Sequence, residues 1–266
     1  MHPFLEPPTP HLFAHRGASG ECPENTLPAF DRAWQTGVPF LEMDCHATRD
    51  GEIVVHHDAD VERLTDGTGP IAGFLWKDLA RLDAGHRFTA DGRSFPFRDC
   101  GVRIPLLAEV VERYPEARIN LELKQADPPI AERVVALIRE LGAEDRMLLA
   151  AEQDAVIASI RALDPGTASG SSLGDAVNFF AALDQDQIAG FEPRGQALQI
   201  PPRFGERELV TEQSVAAAHQ LGLFVHIWTI DDADEMRRLF NLGVDGIMSN
   251  FPDRLIRVAR ERGSGH

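Results

Sequence analysis

Acids and histidines crowd one short stretch of the chain, Glu42-Met-Asp44-Cys-His46-Ala-Thr-Arg49-Asp50-Gly51-Glu52-Ile-Val-Val-His56-His57-Asp58. Apolar and polar residues alternate from Phe40 to Cys45, which is a strand pattern. Glu42 and Asp44 then share one face, about 7 Å apart along the strand. Two carboxylates on one buried face repel each other and resist desolvation. A hard cation, Mg²⁺ or Ca²⁺, relieves both costs. The alternative is a surface strand with solvated acids. Asp50-Gly51 is a hairpin turn, and a connection this short joins only antiparallel strands. Ile53-Val54-Val55 therefore runs back and delivers His56-His57-Asp58 beside the acids.

Two more segments carry suitable groups. Arg118 to Lys124 alternates, with Asn120, Glu122 and Lys124 on one face. Glu122 can be a third metal ligand, and Lys124 can meet an anion; a buried Glu–Lys pair is the structural alternative. His15-Arg16 ends an apolar run. Imidazole suits proton transfer near neutral pH, and the arginine fork suits phosphate. His46, His56, His86 and His226 read as non-catalytic, and Trp228 as either pocket wall or core. A cation flanked by Arg, Lys and two histidines points to an anionic substrate and fits phosphodiester cleavage. The cation and basic groups would neutralise the oxygens that gain charge, while one histidine takes a proton and the other gives one.

These residues need a scaffold, and the chain supplies alternating strand and helix patterns. Strands are expected at Leu12 to Ala14, from Phe40 through Asp44, Arg118 to Lys124, Met147 to Ala151, 167 to 172, Ile188 to Phe191, Phe224 to Ile230 and Gly246 to Met248. Helices follow each: one capped by Asn25 or Thr26 and ended by Gly37, then Leu106 to Tyr114, Pro129 to Leu141, Ala155 to Leu163, Gly174 to Leu183, Thr211 to Leu221, Asp232 to Leu242 and Pro252 to Arg262. Asp231 to Glu235 read as a helix cap and a solvated first turn. Eight strand–helix units imply an α/β fold with a parallel sheet, and in about 250 residues a closed (β/α)₈ TIM barrel. No Gly-x-Gly-x-x-Gly follows the first strand to favour an open doubly wound sheet. Residues 59 to 104 break the rhythm with turns and one short helix near Trp76 to Leu82. The expected organisation is a single domain over 1–266, with a hairpin and turn-rich insertion at 45–104 after the second strand. Residues 1 to 10 read as an extended, proline-rich arm. In such a barrel chemistry sits at the C-terminal strand ends, where His15, Glu42, Asp44, Glu122, Lys124, Glu152, Glu192 and Trp228 fall.

Composition narrows the partners. A net charge of −16 argues against nucleic acid and against an electrostatic hold on anionic membranes. Three cysteines, Cys22, Cys45 and Cys100, suggest reduced thiols and a cytoplasmic setting. No secretory leader pattern is visible at the start, and no apolar run nears the roughly 20 residues needed to span a bilayer.

The ordered set Ala14-His15-Arg16-Gly17-Ala18, Pro23-Glu24-Asn25-Thr26, Glu42-Met-Asp44 and Val55-His56-His57-Asp58 resembles the glycerophosphodiester phosphodiesterase family. So do Thr65-Asp66-Gly67-Thr68-Gly69, Ile104-Pro105-Leu-Leu107, Glu122-Leu-Lys124, Trp228-Thr229 and Gly243-Val-Asp245-Gly246-Ile-Met-Ser-Asn250-Phe-Pro252. The similarity spans about residues 12 to 257. The resemblance implies a TIM barrel with an insertion after the second strand. It implies one Mg²⁺ or Ca²⁺ on Glu42, Asp44 and Glu122, His15 and His57 as the acid–base pair, and Arg16 and Lys124 on the phosphate. The implied reaction hydrolyses glycerophosphodiesters to glycerol 3-phosphate and an alcohol, with a neighbouring glycerol hydroxyl attacking first to give a cyclic phosphate. Glu152 stands where a serine is frequent, and 165 to 205 match weakly, which leaves the leaving-group preference open. The alternatives are phospholipase D-like hydrolysis of lysophospholipids, with Phe95, Phe97 and Phe191 near an acyl chain, a metal-free glycosidase using Glu42 or Asp44 with Glu122, and a binding protein without turnover. No stable membrane anchoring is expected, and the oligomeric state is open.

Overall fold

The computed structural model describes residues 1–263. Its strands are His11–His15 (β1), Phe40–Ala47 (β2), Ile53–Val55 (β3), Arg118–Leu123 (β4), Met147–Ala150 (β5), Ala168–Ser169 (β6), Ala197–Ile200 (β7), Arg203–Phe204 (β8), Arg207–Glu208 (β9), Phe224–Ile227 (β10) and Gly246–Ser249 (β11). Its helices are Leu27–Gln35 (α1), Trp76–Leu79 (α2), Leu107–Arg113 (α3), Ala131–Glu140 (α4), Asp154–Ala162 (α5), Leu173–Asp184 (α6), Glu212–Gln220 (α7), Ala233–Asn241 (α8) and Pro252–Gly263 (α9).

Parallel pairing runs in the order β6-β5-β4-β2-β1-β11-β10-β7. The ends meet where Gly170 bridges Ala197 and the Ser171 amide donates to the Ala197 carbonyl at 2.9 Å. The result is a nearly closed eight-stranded barrel with helices between its strands, a TIM barrel. Alternation along β2 and β4 explains how it is filled. Leu41, Met43, Cys45, Ile119, Leu121 and Leu123 face outward and share an apolar cluster with residues of α1, α3 and α4. The other face looks inward, apolar at the bottom and polar at the top. Phe4, Leu5, Phe13, Phe40, Leu148, Ala168 and Met248 form one buried cluster there. Gly246 is a close-approach position, because a Cβ on it would lie 2.8 Å from the His11 carbonyl oxygen.

β3 pairs antiparallel with β2, Cys45 opposite Val55 and Ala47 opposite Ile53. Gly51 turns the hairpin with φ +84°. Val54 of β3 and, beyond it, Val61, Ile71, Leu79, Ala84, Val102 and Ile104 form a small core of their own.

Three local expectations are corrected. The stretch 188–191 is a 3-10 turn rather than a strand, and the sixth barrel strand is Ala197–Ile200. Gln199 hid that strand: a polar residue interrupts its apolar pattern, yet inside the barrel its Nε2 donates to Asn120 Oδ1 at 2.7 Å. The N-terminal arm is not extended throughout. Pro3–Leu5 form a 3-10 turn that buries Phe4 against Phe40, ring centroids 5.3 Å apart. Helix α2 is shorter than expected and ends at Leu79.

Candidate active site

The inward polar face of β2 and β4 opens at the C-terminal end of the barrel into a cavity of about 690 Å³. His15, Arg16, Glu42, His57, Glu122, Lys124 and Trp228 all line it. Asp44, 1 % exposed, lies beneath them. Carboxylate oxygens of Glu42, Asp44 and Glu122 lie within 4.8 Å of one another, a set that could hold a metal ion. Glu152 is also in the cavity wall. Glu192 is not: it is exposed and follows the 3-10 turn that replaced the expected strand.

The β1–α1 loop builds one side. Arg16 and Asn25 both adopt left-handed backbone, φ 55° and 57°, uncommon for residues with side chains. The Asn25 amide donates to the Arg16 carbonyl at 3.0 Å. This fold-back aims the Arg16 N–H at Glu42 Oε2, 2.9 Å away, and Asn25 Nδ2 at Asp44 Oδ2, 2.8 Å away. Asn25 is thus a partner of a buried acid rather than a helix cap. Thr26 holds the N-cap position, but its hydroxyl donates to the Pro23 carbonyl.

Charge is tightly matched around Asp44. Arg16 Nε stands 3.2 Å and Lys124 Nζ 3.3 Å from its oxygens, and Lys124 also reaches Glu122 Oε1 at 2.7 Å. Burial opposes ionisation of Asp44, but Arg16, Lys124 and His57 outweigh it and hold the carboxyl below its usual range. Glu42 differs: burial and the Asp44 charge push it well above the usual range. Burial also raises Glu122. The two cations therefore do not satisfy three acids. A divalent cation suits this all-oxygen donor set and would supply the missing positive charge.

Each histidine is oriented from behind. Asn250 Nδ2 donates to Asp231 Oδ2 at 2.7 Å, which turns Asn250 Oδ1 towards His15 Nδ1, also at 2.7 Å. That oxygen only accepts, so Nδ1 carries the proton. The His15 Nε2 lone pair is left at the cavity, 3.4 Å from Thr229 Oγ1. Burial and the Arg16 charge lower the His15 pKa, so this ring is held neutral. His57 Nδ1 meets Asp58 Oδ1 at 2.6 Å, and His46 Nε2 donates to the His57 carbonyl at 3.0 Å. Asp231, expected in a solvated helix turn, is instead spent on Asn250 and Ser249, while Asp232 caps α8.

The sequence reading gave no role to Asn250, Asp58, Glu24 or Arg63. Asn250, Asp58 and Glu24 stand within quoted motifs, and Asp58 also adjoins a candidate histidine, which was the available signal. Nothing local singles out Arg63. His226, expected to be non-catalytic, is not in the cavity wall. It is fully buried, 3.2 Å from His11, whose Nε2 donates to the Pro7 carbonyl.

Comparison with known proteins bears on this geometry. Residues 15–254 match the model of the glycerophosphoryl diester phosphodiesterase family. A glycerophosphodiester phosphodiesterase from Caldanaerobacter subterraneus subsp. tengcongensis is 30% identical over 259 residues, covering 95% of this chain and 98% of that one. A lysophospholipase D from Rattus norvegicus is 26% identical over 268 residues, covering 91% and 83%. The structure of an Oleispira antarctica phosphodiesterase in complex with the product sn-glycerol-3-phosphate superposes with a TM-score of 0.75 at 28% identity, covering 95% and 97%. Among the described residues, no helix is long and apolar enough to cross a membrane. With its eight-stranded barrel, its acid cluster and a match over nearly its whole length, the chain belongs to the glycerophosphoryl diester phosphodiesterase family.

Proposed function

We propose that the protein hydrolyses glycerophosphodiesters to glycerol 3-phosphate and an alcohol. The observation that carries this reading is that two oriented imidazoles, Arg16 and Lys124 share one cavity with a three-carboxylate cluster. Glu42, Asp44 and Glu122 would hold one divalent cation, Mg²⁺ or Ca²⁺, whose chemistry is to draw charge from the phosphoryl oxygens. Arg16 and Lys124 bind the phosphate, and Trp228 walls the substrate. His15, neutral with a bare Nε2, takes the proton from the attacking hydroxyl. His57 has the Asp58 carboxylate behind it as a counter-ion, which suits a ring that must carry a proton to the leaving oxygen. The chain reads as one domain, with 45–104 as an excursion from it. Free Cys22 and Cys45 inside the fold favour a reducing, cytoplasmic setting.

The test is release of glycerol 3-phosphate from glycerophosphocholine and glycerophosphoethanolamine, with chelator and then with each cation. Activity lost to chelator and restored by one cation is expected. Release that ignores chelator removes the metal from the mechanism.

One observation favours a second reading, in which a lysophospholipid is the substrate. Phe204, Val177, Leu173 and Trp228 are 70%, 58%, 51% and 42% exposed, and all four line the same cavity. Large apolar groups clustered at the mouth of a site mark a surface that an apolar chain can cover. Phe95, Phe97 and Phe191 do not line that cavity, so any acyl chain would meet α6 and the β8–β9 hairpin instead.

A further inference from the structure

The two loops that carry Arg16 and His57 are joined by side chains. Among the described residues, no backbone hydrogen bond links 16–26 to 56–66. The link is Arg63. Its Nε donates to Asp58 Oδ2 at 2.5 Å, and its two terminal nitrogens donate to Glu24 at 3.0 and 2.7 Å. Asp58 presents its other oxygen to His57 Nδ1 at 2.6 Å. Glu24 Oε1 also accepts from Arg16 at 2.8 Å. An unbroken chain therefore runs His57–Asp58–Arg63–Glu24–Arg16 and ends at Asp44, 3.2 Å from Arg16 Nε.

We propose that Arg63 is a positioning residue: it ties the carboxylate behind His57 to the carboxylate behind Arg16, so that imidazole and guanidinium are held as one unit. The proposal rests on the roles given above to His57 and Arg16. Residue chemistry supports it. A planar fork with donors on three nitrogens holds both oxygens of Glu24 while its third nitrogen bonds Asp58, and the single nitrogen of a lysine ammonium cannot copy that geometry. Glu24 is held down at about 2, despite burial, chiefly by its bond to Arg63 and by the Arg16 charge, so it stays a charged link. The Arg63 side chain is 45% exposed, and exposed ion pairs add little to stability. An effect of its removal should therefore fall on catalysis rather than on folding, since small misplacements of reacting groups are costly in rate.

The experiment compares full-length wild type, Arg63→Ala, Arg63→Lys, Asp58→Ala and the Asp58→Ala/Arg63→Ala double variant. In Arg63→Ala, kcat should fall about tenfold or more with the melting temperature little changed. Arg63→Lys should recover only part of that. The double variant should be no worse than about the worse single one, because both break the same chain at the Asp58–Arg63 link. A second readout needs no turnover. Two-bond ¹H–¹⁵N spectra at alkaline pH, where the ring is neutral rather than the imidazolium that gives its proton from Nε2, should show His57 with its proton on Nδ1 in wild type and moved towards Nε2 in Arg63→Ala; His57→Asn assigns the signal. If wild type hydrolyses no glycerophosphodiester, the proposed function fails while the tautomer shift still decides the role of Arg63. An unchanged tautomer, with kcat and KM within twofold of wild type, overturns the proposal. So does full recovery by Arg63→Lys, which would mean that charge alone suffices.

Discussion

Asn250 offers the sharpest test of how His15 is set up. Its Oδ1 is the acceptor for His15 Nδ1 at 2.7 Å, and its own orientation is held by Asp231 at 2.7 Å. Replacing Asn250 with Ala removes that acceptor from a largely buried ring. Leaving a buried donor unpaired costs about 1–3 kcal/mol. The ring can escape that cost by moving its proton to Nε2, where Thr229 Oγ1 and the Glu42 carboxylate lie 3.4 and 3.9 Å away. That tautomer has no lone pair facing the cavity. The population of the working tautomer then falls by the same free energy, which predicts a loss in kcat of about fivefold to a hundredfold. On the roles proposed for Arg16 and Lys124, substrate binding should change little, so KM should hold. Steady-state release of glycerol 3-phosphate measures both constants, and a melting curve checks folding. A kcat within twofold of wild type, in folded protein, would refute the claim that Asn250 orients the base.

Other expectations follow from the same geometry. Glu122→Gln should weaken binding of the divalent cation by roughly an order of magnitude, read by titration calorimetry; unchanged affinity would exclude Glu122 from the metal site. His57→Ala should abolish turnover while cation affinity survives, and loss of the cation instead would make His57 a ligand. Phe204→Ser and Val177→Ser should lower activity on lysophosphatidylcholine more than on glycerophosphocholine, and equal losses would remove the apolar mouth from substrate choice. Acid should destabilise the fold through His56, which burial lowers to about 4. Its folded pKa lies below the unfolded value of about 6.5, so the stabilisation is complete above pH 6.5 and lost as pH falls towards 4. A gap of about 2.5 pH units at about 1.36 kcal/mol each comes to about 3 kcal/mol. His56→Gln keeps a donor for the Asp60 carbonyl but does not titrate, so urea denaturation from pH 7 to 4 should show a shallower loss than wild type. Parallel curves would show that His56 does not carry the effect.

Much of the candidate site was legible in the sequence, because the relevant information is local. A period of two puts Glu42 beside Asp44 and Glu122 below Lys124. Asp50-Gly51 closes a hairpin with no need of the rest of the chain, and alternating strand and helix patterns lead to a parallel barrel. The motifs around His15, Glu42, His57 and Glu122 carried the family. What period and motif cannot express is which distant side chain stands behind each of these groups. Asn250 meets His15 across 235 positions of sequence, and Gln199 meets Asn120 across 79. Arg63 meets Glu24 only because two loops converge on one rim. The same limit explains the misplaced sixth barrel strand. Ala197–Ile200 reads as loop because Gln199 breaks its apolar run, and only closure of the barrel gives that amide a partner. Residue types thus determined which chemical groups the candidate site offers. Packing at the barrel mouth alone decided which atoms of those residues face the cavity, because tautomers, ion-pair chains and ring orientations are set by contacts that exist only once the barrel has closed.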